Sequence, residues 1–324
     1  MAKVLGMGNA LVDILTKLKT DETLEEFNLP KGSMQLVDFD ISNIVNNGTE
    51  HLEKQVASGG SAANTIHGIA KMGIETGFIG KVGKDDFGSF FHDDMLNSNI
   101  SPQLLKSDTP SGKAVALISP DSERTFATYL GAAVELLPED ILAEHFKGYD
   151  YFHIEGYLVQ NHALIEKAVK FAKKNGLKVT LDMASYNVVE ENLEFLKVLL
   201  DKYVDIVFAN EEEAKSFTGL EPEEALTQFA ALCDIAVVKI GKHGSLIQKG
   251  TEIFKVESIE ANPVDTTGAG DLYAAGFIYG LIKNYSLDKC GKIGSVLAGK
   301  TIEVIGPKMD NQQWLVVKNL VEKI

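Results

Sequence analysis

The sequence predicts a three-layer α/β body around a central, mostly parallel sheet, carrying a small β-sheet lid. Three features predict it. The second half alternates apolar, β-rich runs with amphipathic helices, the pattern of strands buried on both faces. The first half instead holds β-rich segments joined by turns, with no crossover helix between them. No repeat, low-complexity tract or linker divides the 324 residues.

Taken in order, the start MAKVLGMGNALVDIL reads as a strand. KGSMQLVD (31–38) and SGKAVALISPDSERTFATYLGAA (111–133) read as strands of a small antiparallel sheet with one wet face. The segments 15–38 and 110–131 are therefore expected to form the lid, and 1–14, 39–109 and 132–324 the body. A lid built from separated segments can close on a substrate and exclude water. HALIEKAVKFAKKNG (162–176) is an amphipathic helix ending at Gly176, followed by the strand LKVTLDM (177–183). ENLEFLKVLLDKY is a helix, YVDIVFAN (203–210) a strand, and EEEAKSFTG a short acidic helix stopped by Gly219. EPEEALTQFAALC is a helix and IAVVKIG (235–241) a strand with little polar alternation.

Composition narrows the function. An apolar fraction of 45% and a charged fraction of 24% are ordinary for a globular chain. A net charge of 31 − 46 = −15 argues against nucleic acid or an anionic membrane as partner. The two cysteines, Cys233 and Cys290, have neither metal nor disulfide-framework spacing, as expected in a reducing cytosol. No signal peptide and no apolar run of about 20 residues is recognisable, so a cytoplasmic protein is expected.

Three phosphate-binding patterns compete. Gly6-Met7-Gly8-Asn9-Ala10-Leu11 approaches the dinucleotide fingerprint, but the chain continues as VDILTKL, extended rather than helical. Gly294 to Thr301 spells a P-loop literally, yet it falls inside one small-residue helix instead of following a strand. The third is VDTTGAGDLYAAGF (264–277), a glycine turn opening a helix. Gly268 and Gly270 free the backbone to point N–H groups one way at a positive helix end, an anion hole needing no lysine. Asp271 beside it can cap the helix or accept a proton from an attacking hydroxyl, and the local sequence leaves both open.

SGGSAANTIHGIAKMG (58–73) together with DTTGAGDLYAAGF resembles the two signatures of the ribokinase-like (PfkB) carbohydrate kinase family. GKVGKDDFG (80–88), ANEEEAKSFTG (209–219) and VVKIGKHG (237–244) are similar to further family blocks in the same order. The resemblance covers nearly the whole chain and implies the same three-layer body with a β lid. It makes Asp271 the general base, with Gly268, Ala269 and Gly270 giving N–H groups to the transferring phosphoryl. Asp13, Gly59, Gly60 and Asn64 match the substrate side. Asn210 and Glu213 match an N-x-x-E element that organises Mg²⁺ through its waters, and Lys239, Gly241 and Gly244 lie along ATP. Asp265 and Thr267 resemble positions that hold a monovalent cation such as K⁺.

The substrate is less legible. Ribokinase itself has a lysine after the glycine pair, where this chain has Ser61. NTI after Ala63 and ATYLGAA in the lid are closer to bacterial adenosine-kinase-like members, although eukaryotic adenosine kinases carry asparagine where Thr267 stands. The resemblance thus implies phosphorylation of a ribosyl primary hydroxyl, foremost the 5′-OH of adenosine, in purine salvage. A free-sugar kinase for ribose or fructose is the nearest alternative, and a nucleoside- or sugar-binding protein without chemistry is the alternative outside enzymes. Phe126, Tyr129, Phe152 and Tyr157 are aromatics available to stack on a base or to fill a core. Arg124 is a surface charge or a group reaching across the closed cleft, and His67 reads as a surface histidine. A homodimer through the lid's sheet edge is conceivable, nothing in the sequence requiring it.

Overall fold

The computed structural model describes residues 2–121 and 123–324; residues 1 and 122, within the expected segments 1–14 and 110–131, lie outside the described residues. In chain order the strands are β1 (Val4–Met7), β2 (Leu11–Lys17), β3 (Met34–Leu36), β4 (Lys54–Gly59), β5 (Thr76–Gly83), β6 (Ile100–Ser107) and β7 (Gly112–Ile118). They continue as β8 (Arg124–Tyr129), β9 (Tyr151–Glu155), β10 (Lys178–Asp182), β11 (Ile206–Asn210), β12 (Ile235–Lys239), β13 (Ser245–Lys249) and β14 (Glu252–Val256). Among the described residues nine of them form one sheet in the order β14-β13-β12-β11-β10-β9-β1-β5-β6. All its pairings are parallel except β12–β13 and β13–β14.

Burial on both faces explains the absence of polar alternation. Along β11, Ile206 and Phe208 enter one core with Ile66 and Phe277, while Val207 and Ala209 enter the opposite core with Phe146 and Phe229. The helices Ser61–Lys71, Ala269–Ile282 and Leu287–Thr301 supply the first core, and His162–Lys174, Leu193–Tyr203 and Pro222–Ala230 the second. This is the three-layer body expected.

The second sheet has the order β3-β8-β7-β2-β4. It departs from expectation in three ways. It is mixed rather than antiparallel, because β2–β7 and β3–β8 run parallel. It also draws in Leu11–Lys17 and Lys54–Gly59, beyond the segments 15–38 and 110–131. KQVASG in β4 has little intrinsic β preference and becomes a strand by pairing with β2. Finally, β7 is buried throughout. Val115 and Leu117 join the core that holds Val45 and Phe91, from the helices Phe39–Gly48 and Asp86–Asn97, and Ala116 and Ile118 pack with Leu15 on the other side.

MAKVLGMGNALVDIL is accordingly two strands in two sheets, broken at Gly8-Asn9-Ala10. The chain crosses to the second sheet there and returns at Gly59-Gly60. The first glycines serve close approach rather than a dinucleotide: a Cβ on Gly6 would lie 2.3 Å from Ile66, and one on Gly8 would lie 2.3 Å from the Glu155 carboxylate. The P-loop-like stretch sits inside the helix Leu287–Thr301 as packing surface, Gly294 lying against Tyr273.

Candidate active site

In an open α/β sheet, ligands bind beyond the carboxyl ends of the strands, where strand order reverses. Here β1 lies between β5 and β9, and the adjacent strands β1, β9, β10, β11 and β12 end at or just before Asn9, Glu155, Asp182, Asn210 and Lys239. A cleft opens over these ends, under the second sheet. It has a polar compartment of about 580 Å³ and an apolar one of about 740 Å³, which share Gly60, Ser61, Phe126, Tyr157 and Thr267.

Asp271 lines the polar compartment. Its carboxylate does not cap the helix Ala269–Ile282, whose N-cap is Gly268. Instead it bridges to the facing helix, accepting from Ser61 Oγ at 2.7 Å and from Asn64 Nδ2 at 3.0 Å. Burial pushes its pKa up to about 6, and the charge of Asp182 adds to the rise, while the Ser61 and Asn64 hydrogen bonds oppose it.

Gly268 adopts φ 76°, and a Cβ there would fall 2.5 Å from Pro307. Gly268, Gly270 and Asp271 line the polar compartment, and Ala269 does not. Among the described residues, the N–H groups of Gly268, Gly270 and Asp271 have no acceptor, whereas that of Ala269 donates to Thr266 O at 3.2 Å. The Ala269 amide is thus taken up by the closure of its own turn.

Asp13, on β2, also lines the polar compartment. No donor among the described residues hydrogen-bonds its carboxylate; burial pushes its pKa up to about 7, with Lys308 opposing. Gly59 lies behind it, since a Cβ there would come 2.2 Å from the carboxylate. Lys308 donates to Ser58 at 3.0 Å, and burial pushes its pKa down to about 8. Gly60, at φ 99°, brings the returning chain against Asn9 O.

Lys239 donates to Asp182 at 2.8 Å, with its Nζ beside Gly270. Asn210 and Glu213 form a reciprocal cap on the helix Glu211–Thr218: the carboxylate accepts from Asn210 N and Nδ2, and Asn210 Oδ1 accepts from Glu213 N, all at 2.8 Å. Glu213 is buried, not one more solvated charge of its acidic run, and burial pushes its pKa up to about 7. Gly241 borders the cleft, while Gly244 backs onto Val256 O and closes the β12–β13 turn.

Asp265 and Thr267 are brought together, but around a guanidinium. Arg124, from β8, is buried; it donates to Thr267 Oγ1 at 2.7 Å and pairs with Asp265. Asp265 further accepts from Thr267 N and Gly306 N. Its oxygens are thus committed to the chain, and Arg124 reaches across the cleft rather than into solvent.

Of the four aromatics, Phe126 and Tyr157 line both compartments. Phe152 is core against Phe146, and Tyr129 packs edge-on to Phe39. His67 is buried edge-on to Trp314, not on the surface. Sequence reasoning missed Asn9, Glu155 and Asp182. Each closes or follows an apolar strand, and a lone polar residue at the carboxyl end of such a run is the signal that finds them.

Among the described residues no helix is long and apolar enough to cross a membrane. Residues 37–314 match the description "pfkB family carbohydrate kinase". An adenosine kinase structure from Sinorhizobium meliloti is 33% identical, with 98% of this chain and 99% of that one covered at a TM-score of 0.88. A probable sugar kinase structure from Rhizobium etli is 34% identical, with 98% of each covered, also at 0.88. The adenosine kinase of Saccharomyces cerevisiae is 28% identical over 337 residues, covering 96% of this chain and 98% of that protein. The chain belongs to the pfkB carbohydrate kinase family and is a sugar or nucleoside kinase.

Proposed function

We propose that the protein transfers the γ-phosphoryl of ATP to the 5′-OH of adenosine or a closely related nucleoside. The observation that carries this is the apolar compartment. Leu11, Met34, Leu36, Leu130, Leu136 and Phe126 wall it, next to the unpartnered Asp13 carboxylate. A free sugar carries hydroxyls on every side and gains little from such walls. A nucleoside places a ribose at Asp13 and a flat base among them; burying about 100 Å² of that base contributes about 2.5 kcal/mol. The likeness to adenosine kinases supports the same reading.

In this reading Asp13 accepts hydrogen bonds from ribose hydroxyls, and Gly60 and Asn64 shape the same side. Asp271 accepts the proton of the 5′-OH as its oxygen bonds to the γ-phosphorus. The bond from that phosphorus to the β–γ bridging oxygen breaks, and ADP leaves with the electron pair. The free amides at Gly268, Gly270 and Asp271 stabilise the transferring phosphoryl, and Lys239 and Gly241 lie along the triphosphate. Closure of the second sheet, with Arg124 crossing the cleft, excludes water.

The family's kinases use ATP with a divalent metal, here Mg²⁺. Among the described residues no cluster of three or more acidic, histidine or cysteine side chains forms a cage. Separate carboxylates at Asp182 and Glu213 on the polar compartment fit an ion that stays largely hydrated and phosphate-bound. Held there, Mg²⁺ would supply charge neutralisation at the phosphoryl group. Asp265 and Thr267 serve as the frame of the anion loop in this reading, with Arg124 as their cation.

ATP consumption over a panel of nucleosides and free sugars tests the proposal. Adenosine is expected to give the highest kcat/KM; faster turnover of ribose or fructose would sink the nucleoside reading in favour of the sugar one. A second expectation follows from Asp271. A base must be ionised to act, so kcat/KM should fall about tenfold per pH unit below the pKa it has in the free protein, near pH 6. The limb should vanish from the residual activity of Asp271→Asn; a limb kept in that variant would assign it to another group.

A further inference from the structure

Four consecutive residues, Ile305 to Lys308, alternate between the second sheet and the turn that offers its amides to the phosphoryl group. Ile305 packs with Leu15, Ala116, Ile118 and Phe126 of the second sheet. Gly306, at φ 78°, donates its N–H to Asp265, and a Cβ there would lie 2.8 Å from Leu15. Pro307 is the residue against which Gly268 is seated. Lys308 donates to Ser58 Oγ on β4, at 3.0 Å. The same segment also holds the entry to the turn, because Ile302 O accepts from Val264 N at 2.7 Å and from Asp265 N at 3.1 Å.

The Lys308 contact has a fixed direction. Ser58 is fully buried, and Asp94 Oδ2 accepts both its hydroxyl proton and its N–H. A hydroxyl has one proton, so with that given to Asp94 the oxygen can only accept, and Lys308 is the donor. The chain from Lys308 through Ser58 to Asp94 carries a charge at each end, which strengthens both hydrogen bonds. Asp94 gains nothing from its own helix: it lies in the last turn of Asp86–Asn97, at the negative end of the dipole, where an acid is disfavoured. What it does instead is hold β4. Between the two contacts Pro307 fixes a backbone torsion, so Gly306 and Lys308 move together.

We propose that Lys308 is a positioning residue that ties the strand returning from the second sheet, at Ser58, to the turn at 264–271. Arg124 makes the same tie from β8. In the sheet β8 and β4 flank β7 and β2, so the two cations fasten it on both sides. Closure of the second sheet is thereby coupled to the placing of the turn's amides. This rests on the kinase reading but not on which acceptor is used.

Hydrogen exchange on the free protein reads the tie without any turnover. Lys308→Met keeps the stem and removes the donor. The amides of Val264, Asp265 and Thr267 and those of β4 are expected to exchange about tenfold faster in that variant, while those of β12 keep their wild-type rate. With adenosine, or with ribose should the sugar reading prevail, kcat is expected to fall about tenfold and the KM for ATP to stay within about twofold. Faster exchange in β4 alone, an equal rise in β12, or wild-type exchange or kcat in Lys308→Met would overturn the proposal. Should Lys308→Met fail to fold, Ser58→Ala removes the acceptor on β4, and unchanged exchange at 264–267 in that variant overturns the proposal alone. If the wild type turns over no acceptor, the kinase reading fails separately, and the exchange comparison still decides whether the tie exists.

Discussion

Asp271→Asn is expected to lower kcat by about 10²- to 10⁴-fold while leaving the Kd for acceptor nearly unchanged. Asparagine is nearly isosteric: its Oδ1 can still accept from Asn64 Nδ2 while its Nδ2 donates to Ser61 Oγ, a hydroxyl that accepts as well as donates. What it lacks is a site for the hydroxyl proton. Most of the rate enhancement in phosphoryl transfer comes from positioning and charge stabilisation, so measurable activity remains. Single-turnover quench kinetics with saturating ATP separates the chemical step from product release. A kcat within about threefold of wild type would remove Asp271 from the base role and return it to the bridging role between the two helices.

Gly268→Ala carries the second large effect, for a backbone reason. An L-residue at φ 76° costs about 1–2 kcal/mol before any contact is considered. The new methyl would also overlap Pro307, at 2.5 Å. Relief requires the turn to move, and with it the N–H groups of Gly268, Gly270 and Asp271. Removing one oxyanion donor costs about 10²- to 10³-fold in kcat, and a fall of that size is expected here with a modest loss in melting temperature. The comparison is Gly73→Ala. Gly73 also has positive φ, 85°, but open space around its Cβ position, so that variant tests backbone strain without the clash or the loop. If both variants lose stability equally and neither loses kcat, the amides at 268–271 do not act on the phosphoryl.

The body was legible because both its periods are local. Apolar runs such as IAVVK and amphipathic helices such as HALIEKAVKFAKK declare themselves within a dozen residues. The second sheet was only partly legible, since its strands are made by partners distant in sequence. Nothing in KQVASG announces a strand until β2 lies alongside, and nothing in GMGNALVDI shows that the chain changes sheets at Gly8. The glycine loops were found because φ near 76° and 99° at Gly268 and Gly60 leaves few other residues as an option. Glu155 and Asp182 were missed because a single carboxylate after an apolar run looks like a strand ending. Only the strand order, with β1 between β5 and β9, shows that these ends share one cleft. Phe152 and Phe126 look alike in the sequence, and the pleat alone sends one into the core and the other to the cleft.

The central claim is that a nucleoside's primary hydroxyl sits between Asp271 and the free amides of the 268–271 turn. Phosphorus NMR of the product made from ATP, Mg²⁺ and adenosine tests it most directly. The expected product is a single monoester whose phosphorus couples to the two 5′-methylene protons. Inorganic phosphate alone, or a monoester on a secondary hydroxyl, would contradict it.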